Sequence, residues 1–248
     1  MKENEMIFGI RAIIEAIKSD KQIDKIILKN DMQSELAKEL FNAIKGFSHI
    51  QVQRVPLERL NRYTHKNHQG AIAFVSQTTY QLVSDIVPTL YEEGKTPFFV
   101  VLDGVTDVRN FGAIARTCEC GGVDAIVIPV KGGASVNADA VKTSAGALHT
   151  LPVCKESNLV SALKFLKQCG IRIVVASEKG NKNYTEANLY DPVAIVMGAE
   201  DKGVSPEILR LCDEMVSIPI KGNISSLNVS VAAGIMIYEG VKQRMSQV

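Results

Sequence analysis

Long apolar runs are missing from this sequence. Stretches such as Phe98 to Leu102 and Ala194 to Met197 fall far short of the roughly 20 residues that span a bilayer. The opening residues, Met1-Lys2-Glu3-Asn4-Glu5, are polar and mixed in charge, without the apolar stretch and small-residue cleavage site of a signal peptide. Cysteine is scarce and scattered, five in all. Cys118-Glu119-Cys120 has the wrong gap for a zinc knuckle, and neither a second pair nor a histidine partner follows it. The expectation is a cytoplasmic protein with reduced thiols and no metal site. Neither sign of charge dominates. The net charge of +1 leaves no global footprint of nucleic-acid binding. Common ligand motifs are absent too. No G-x-G-x-x-G follows the first strand of the C-terminal part, which argues against an ordinary dinucleotide site or a standard Rossmann-type methyltransferase. There is no G-x-x-x-x-G-K-[ST] and no G-x-S-x-G, and the lone His149 reads as structural.

What is there is a globular chain. At 248 residues with 46% hydrophobic content, it can hold one large α/β domain or two smaller ones. Charge is uneven along it: residues 1–77 carry 12 Lys/Arg against 9 Asp/Glu, or +3, and the rest carry 16 against 18, or −2. Arg54, Arg59, Arg62 and Lys66 lie in a short stretch opposed only by Glu58, beside His65 and His68. A solvated polar face would look the same.

Periodicity divides the chain. Ile10, Ile13, Ile14 and Ile17 recur at helical spacing, Ile23 to Leu28 reads as a strand, and Ser34 caps a helix through Leu36, Leu40 and Ile44. Ile50 to Val55 alternates as a strand, Leu57 to Asn61 is a helical turn, and Ala71 to Val75 is another strand. These make a small α/β domain over residues 1–77. Residues 78–96, more polar and with one short helix around Ile86 to Tyr91, read as a linker. From Pro97 to the end, continuous apolar strands at Phe98 to Leu102, Ala125 to Ile128, Ile171 to Ala176, Ala194 to Met197 and Met215 to Ile218 alternate with helices. One of these is expected over Ala138 to Leu148, and the last over Leu227 to Arg244. Such alternation implies a parallel sheet covered on both faces.

Three segments lie at strand ends, where open α/β sheets bind ligands. The first, Asp103 to Thr117, contains Asn110 and Arg116, six residues apart and therefore not stacked on one helical face. A planar guanidinium suits a phosphate, although a capping asparagine and a surface arginine would give the same pattern. The second, Gly198 to Ser205, pairs glycines that permit close backbone approach with Glu200 and Asp201. The third, Ile218 to Ile235, follows a strand with a polar loop in which Ser225 or Ser226 can cap the final helix. Ala232-Ala233-Gly234 allows another element close.

In this order the three segments resemble the signature motifs of the SpoU (TrmH-like) RNA ribose methyltransferases of the SPOUT superfamily. Asn110 and Arg116 match N-x-G-A-x-x-R-T. Gly198, Glu200, Gly203 and Ser205 match G-x-E-x-x-G-[LIV]-S. Ile218, Pro219, Gly222, Ser226, Leu227, Asn228, Val229 and Ala232 match the third motif. Lys142-Thr143-Ser144-Ala145-Gly146-Ala147 resembles a further family segment. Ile7 to Ala12 and His68-Gln69-Gly70 resemble the start and end of the L30e-like substrate-binding domain carried by the branch that methylates guanosine in 23S rRNA.

The resemblance implies an α/β fold: an L30e-like domain followed by a trefoil-knotted catalytic domain over residues 97–248 with a parallel sheet. It implies S-adenosylmethionine as cofactor, held by Ser177, Gly198, Glu200, Ile218, Ser226 and Leu227. Arg116, Asn110, Glu200, Ser226 and Asn228 would be catalytic; a guanidinium is a poor base, which leaves Arg116 a base or a group that positions phosphate. Arg11, Arg54, Arg62 and Lys66 would meet the RNA, with rRNA preferred to tRNA, and the partners would include a second copy of the chain but neither membrane nor DNA. A tRNA methyltransferase, a non-catalytic RNA-binding protein and a dinucleotide enzyme are the rival readings.

Overall fold

The computed structural model describes residues 6–246. They form two compact units, the first running to Thr79 and taking in Ser135–Ala138, the second holding Tyr80–Ala134 and the remainder from Asp139.

In the first unit the elements are β1 (Met6–Phe8), α1 (Ile10–Lys18), β2 (Ile23–Lys29), α2 (Glu35–Ile44), β3 (Gln51–Val55), α3 (Leu57–Asn61) and β4 (Ala71–Val75). The first helix spans its whole apolar periodicity and begins at Ile10, where Gly9 at φ 93° breaks the chain after β1. Ser34 caps α2 by accepting a hydrogen bond from the Ala37 N–H. The strands lie in the order β1-β4-β2-β3. Ile10, Ile13, Ile14 and Ile17 of α1 and Leu40 of α2 pack on Ile26, Leu28, Ala71 and Ala73 of one sheet face. The other face carries a smaller cluster of Ile27, Val55, Leu60 and Ile72.

The second unit comprises β5 (Tyr80–Gln81), α4 (Val83–Glu92), β6 (Phe98–Asp103), α5 (Val108–Cys120), β7 (Ala125–Pro129), α6 (Ala138–Thr143), β8 (Val153–Glu156), α7 (Leu159–Gln168), β9 (Arg172–Ala176), β10 (Lys182–Asn183), β11 (Val193–Gly198), α8 (Pro206–Leu209), β12 (Glu214–Ser217) and α9 (Val229–Met245). The strands run β10-β12-β9-β11-β6-β7-β8-β5, and every pairing is parallel. Much of the stretch read as a linker is not bare connection. β5 pairs with β8, and the Val83 N–H that opens α4 donates to Glu156 Oε1 at 2.8 Å. Two-residue β5 and β10 and the half-polar β8 lack the apolar run that betrays a strand. The helix expected over Ala138 to Leu148 stops at Thr143, because Ala145 and Gly146 both take positive φ, 52° and 90°.

α4, α7 and α8 cover the sheet face made by Phe99, Val101, Val127, Val175 and Val196. α9 lies on the opposite face, so close that a Cβ on Gly240 would sit 2.8 Å from Phe98 Cζ. Near its C-terminus α9 holds a distant loop by polar contacts. Arg244 donates to the carbonyls of Thr96, Pro97, Leu189 and Asp191, and Gln243 bonds Ala187 and Leu189. Burial lowers the pKa of that guanidinium from its ordinary value. The price of withdrawing the charge from water is thus offset by four carbonyl acceptors.

β12 lies between β9 and β10, so the connection joining β9 to β10 crosses the C-terminal end of β12. The crossing is tight. Ser177 N–H donates to Val216 O at 2.9 Å, and a Cβ on Gly180 would fall 2.2 Å from the Val216 carbonyl carbon. Among the described residues no helix is long and apolar enough to cross a membrane.

Candidate active site

β6, β9, β11 and β12 all end at the same edge of the parallel sheet, and the loops that follow them build the site. At the end of β6, Asp103 Oδ2 accepts the Ser205 N–H at 2.7 Å, which anchors the loop preceding α8. Asp107 then caps α5 by accepting the N–H groups of Arg109 and Asn110 at 2.9 and 2.8 Å, fixing Asn110 in the first helical turn. α5 is seated hard against α6, because a Cβ on Gly112 would lie 2.7 Å from Thr143 Cβ and 2.9 Å from the Ala140 carbonyl. The segment Lys142 to Ala147 thereby acquires a structural role. Thr143 receives Gly112, buried Ser144 bonds back to Val141 O at 2.9 Å, and the positive-φ pair turns the chain away.

The loop after β11 closes on itself. Ala199 N–H donates to Gly203 O at 3.2 Å and Gly203 N–H to Ala199 O at 2.8 Å. Such closure needs glycine at Gly198, where a Cβ would meet the Gly203 carbonyl carbon at 2.2 Å. It also needs it at Gly203, which has φ 66°. Glu200 projects from this loop. Its Oε1 accepts Asn110 Nδ2 at 3.0 Å and Asn228 Nδ2 at 2.8 Å, with the Val229 N–H at 3.5 Å. Asn228 Nδ2 also donates to Asn110 Oδ1 at 3.0 Å. The cap of α9 is Asn228, whose Oδ1 accepts the Ser230 N–H at 2.9 Å, and not Ser225 or Ser226. One carboxylate oxygen therefore gathers residues from all three sequence motifs, 90 and 28 positions apart.

A cleft beside this cluster is lined by Ser177, Gly198, Glu200, Ile218, Ser226 and Leu227, the six positions expected to hold a cofactor. Glu178, Ile220, Val229 and Ala232 line it as well and were not anticipated. Of these, Val229 and Ala232 already matched the third motif, while Glu178 and Ile220 were signalled only by their places beside Ser177 and Pro219. The walls are apolar at Ile218, Ile220, Leu227 and Val229, and acidic at Glu178 and Glu200.

Arg116 stands apart. It is exposed on α5 and has no hydrogen-bond or ion-pair partner among the described residues. Six residues of helix put it about 9 Å along the axis from Asn110 and on another side. The four candidate RNA contacts are dispersed too. Arg54 lies on the α2 side of its sheet, where Asn30 O accepts from it at 3.1 Å and its guanidinium sits 5.1 Å from the Phe41 ring centre. Lys66 sits 5.4 Å from the Phe8 ring centre, and Arg62 and Arg11 are exposed at α3 and α1.

The residue pattern of the SpoU rRNA methylase family matches residues 97–238. The chain belongs to that family. A second pattern, described as RNA 2'-O ribose methyltransferase substrate binding, matches residues 6–81. The 23S rRNA (guanosine-2'-O-)-methyltransferase RlmB of Photorhabdus laumondii is 36% identical, over 98% of this chain and 100% of its own length. The protein of the same name from Shewanella oneidensis is 36% identical over 99% and 100%. Among solved structures, the SpoU methyltransferase AviRb of Streptomyces viridochromogenes, crystallised with AdoMet, superposes with a TM-score of 0.62. It is 23% identical and covers 97% of this chain and 90% of its own. In this SpoU protein, then, the family's three motifs meet at one carboxylate, and the family's arginine does not join them within a single chain.

Proposed function

We propose that this SpoU protein transfers a methyl group from S-adenosylmethionine to the ribose 2'-hydroxyl of a guanosine in 23S rRNA. The observation that carries the reading is the convergence of Asn110, Glu200 and Asn228 beside the cleft, supported by full-length relatives named for this activity. The cleft fits the cofactor. Ile218, Ile220 and Leu227 offer apolar surface to a flat base, the closed Gly198–Gly203 loop leaves backbone within reach, and Glu178 supplies a carboxylate for hydroxyl donors. When bound, the cofactor supplies an electrophilic methyl group on a sulfonium.

The chain's own residues position the nucleophile. Glu200 Oε1 holds the two carboxamides in place, and Oε2, without a hydrogen bond among the described residues, is left to accept from a ribose hydroxyl. Such pre-set donors and acceptors raise the effective concentration of aligned reactants. Arg116, a permanent cation, binds the substrate phosphate and stabilises negative charge developing on the 2'-oxygen, with phosphate or water taking the proton. Mapping 2'-O-methyl marks on total RNA of a deletion strain tests the target. Loss of one 23S guanosine mark is expected, whereas loss of a tRNA mark alone refutes the assignment.

Two further parts of the reading rest on the same elements. A second copy of the chain completes the site. Val231, Tyr238 and Met245 on α9 are 51%, 52% and 73% exposed, and seven-residue spacing keeps them nearly on one helical face. Leu227, a cleft residue just before α9, is exposed as well, so a homodimer formed on this helix brings the cleft near the interface. Tyr238→Glu is expected to give a monomer in sedimentation and to lose methyl transfer, whereas a fully active monomer would sink this arrangement. The crossing at Gly180 supports a trefoil knot, with the chain after β12 threaded beneath the β9–β10 connection. A threaded chain pulled by its termini stretches short of its contour length, and an unthreaded one reaches it.

A further inference from the structure

In the first unit, α1 and α2 cover one face of the sheet. The other face is covered only in part, with Met6, Phe8 and Phe74 left partly buried around the Ile27, Val55, Leu60, Ile72 cluster. Tyr63, just past α3, lies edge-on against Phe74, ring centres 5.5 Å apart and planes at 72°. It remains 41% exposed. Lys66 sits over the neighbouring Phe8. Arg59, Arg62 and His65 are exposed in the same stretch, with Glu58 its one acid.

This stretch is held rigidly. His68 is buried, its Nε2 is 2.9 Å from Asn61 Oδ1, and its Nδ1 accepts the Gly70 N–H at 3.0 Å. Residues 61–70 are thus pinned at both ends by one imidazole, so Tyr63 is presented with little conformational freedom to lose on binding. An exposed aromatic ring on a rigid support, flanked by cations, suits a base with its adjacent phosphates. A protein partner would be expected to leave fewer cations around the ring.

We propose that Tyr63 is a stacking platform for an unpaired base of the RNA substrate, with Arg62 and Lys66 meeting the flanking phosphates. The proposal rests on the RNA-methylation reading and gives the first unit a preference for looped over paired RNA.

Fluorescence anisotropy of the full chain tests it, using an RNA stem capped by about eight unpaired nucleotides and a fully paired duplex of equal length. Wild type should prefer the stem-loop. Tyr63→Ala should weaken stem-loop binding by about 5- to 100-fold without affecting the duplex, and Tyr63→Phe should retain it. The salt dependence should be unchanged in Tyr63→Ala, whereas Arg62→Ala should reduce its slope by about 1 and keep the loop preference. Three results overturn the platform: no loop preference in wild type, stem-loop binding by Tyr63→Ala at wild-type strength, or equal losses on both RNAs. If wild type methylates rRNA and Tyr63→Ala binds normally, only the platform falls. If wild type transfers no methyl group, the enzymatic reading falls on its own evidence.

Discussion

Replacing Arg116 with alanine should lower kcat about 100- to 1000-fold, the usual cost of removing one donor from a developing oxyanion. S-adenosylmethionine affinity should hardly change, because Arg116 is not among the residues that line the cleft. Isothermal calorimetry for the cofactor and single-turnover methyl transfer on rRNA separate the two effects. Arg116→Lys keeps the charge and loses the planar fork, so it should recover a part of the rate. Turnover by Arg116→Ala at the wild-type rate would remove the residue from the mechanism. Equal loss of cofactor affinity and rate would instead show that it shapes the cleft.

The second large effect is expected at Gly198, and it is steric. A methyl group there would sit 2.2 Å from the Gly203 carbonyl carbon, 2.4 Å from Val204 N and 2.6 Å from Gly203 O. All three are backbone atoms that cannot swing aside. The Ala199–Gly203 hydrogen bonds would open, and Glu200 would move away from Asn110 and Asn228. Gly198→Ala should therefore reduce cofactor affinity by at least about 100-fold, equivalent to about 2.7 kcal/mol. The core strand β11 is buried upstream of the change, so the variant should still fold, which thermal unfolding checks. An unchanged affinity would mean that loop closure does not build the cleft. A matched variant, Glu200→Gln, keeps the loop and removes the charge, so it should lose rate while preserving affinity better than Gly198→Ala.

These two sites differ in how far the sequence revealed them. Gly198, Glu200 and Gly203 stand close together in a motif, and their spacing already implied a tight acidic loop after a buried strand. That the loop seals itself by paired hydrogen bonds, and that Glu200 reaches residues 90 and 28 positions away, is a matter of strand order. Parallel strands β6, β11 and β12 deliver their loops to one edge whatever lies between them in the chain. Arg116 shows the opposite case. It shares a motif with Asn110, yet helical rise carries it about 9 Å along α5 and round to another side, away from the cluster. Arg54, Arg62 and Lys66 were likewise neighbours in a basic run, but strand alternation put Arg54 on the helix-covered face.

By itself the sequence determined the alternation of elements, the two-part organisation, the parallel sheet and the three motifs at strand ends, because periodicity and motif spacing are local properties of a chain. The six positions expected to hold the cofactor all line one cleft in the fold. The tertiary structure alone decided which of them meet. It placed β12 between β9 and β10, brought a capping asparagine to a glutamate 28 positions away, and left Arg116 and an apolar face of α9 open to solvent. Those outcomes depend on strand order and close packing, in which glycines at 112, 180, 198 and 240 permit contacts that any Cβ would forbid. No local pattern encodes such contacts, because the partner atoms come from elsewhere in the chain.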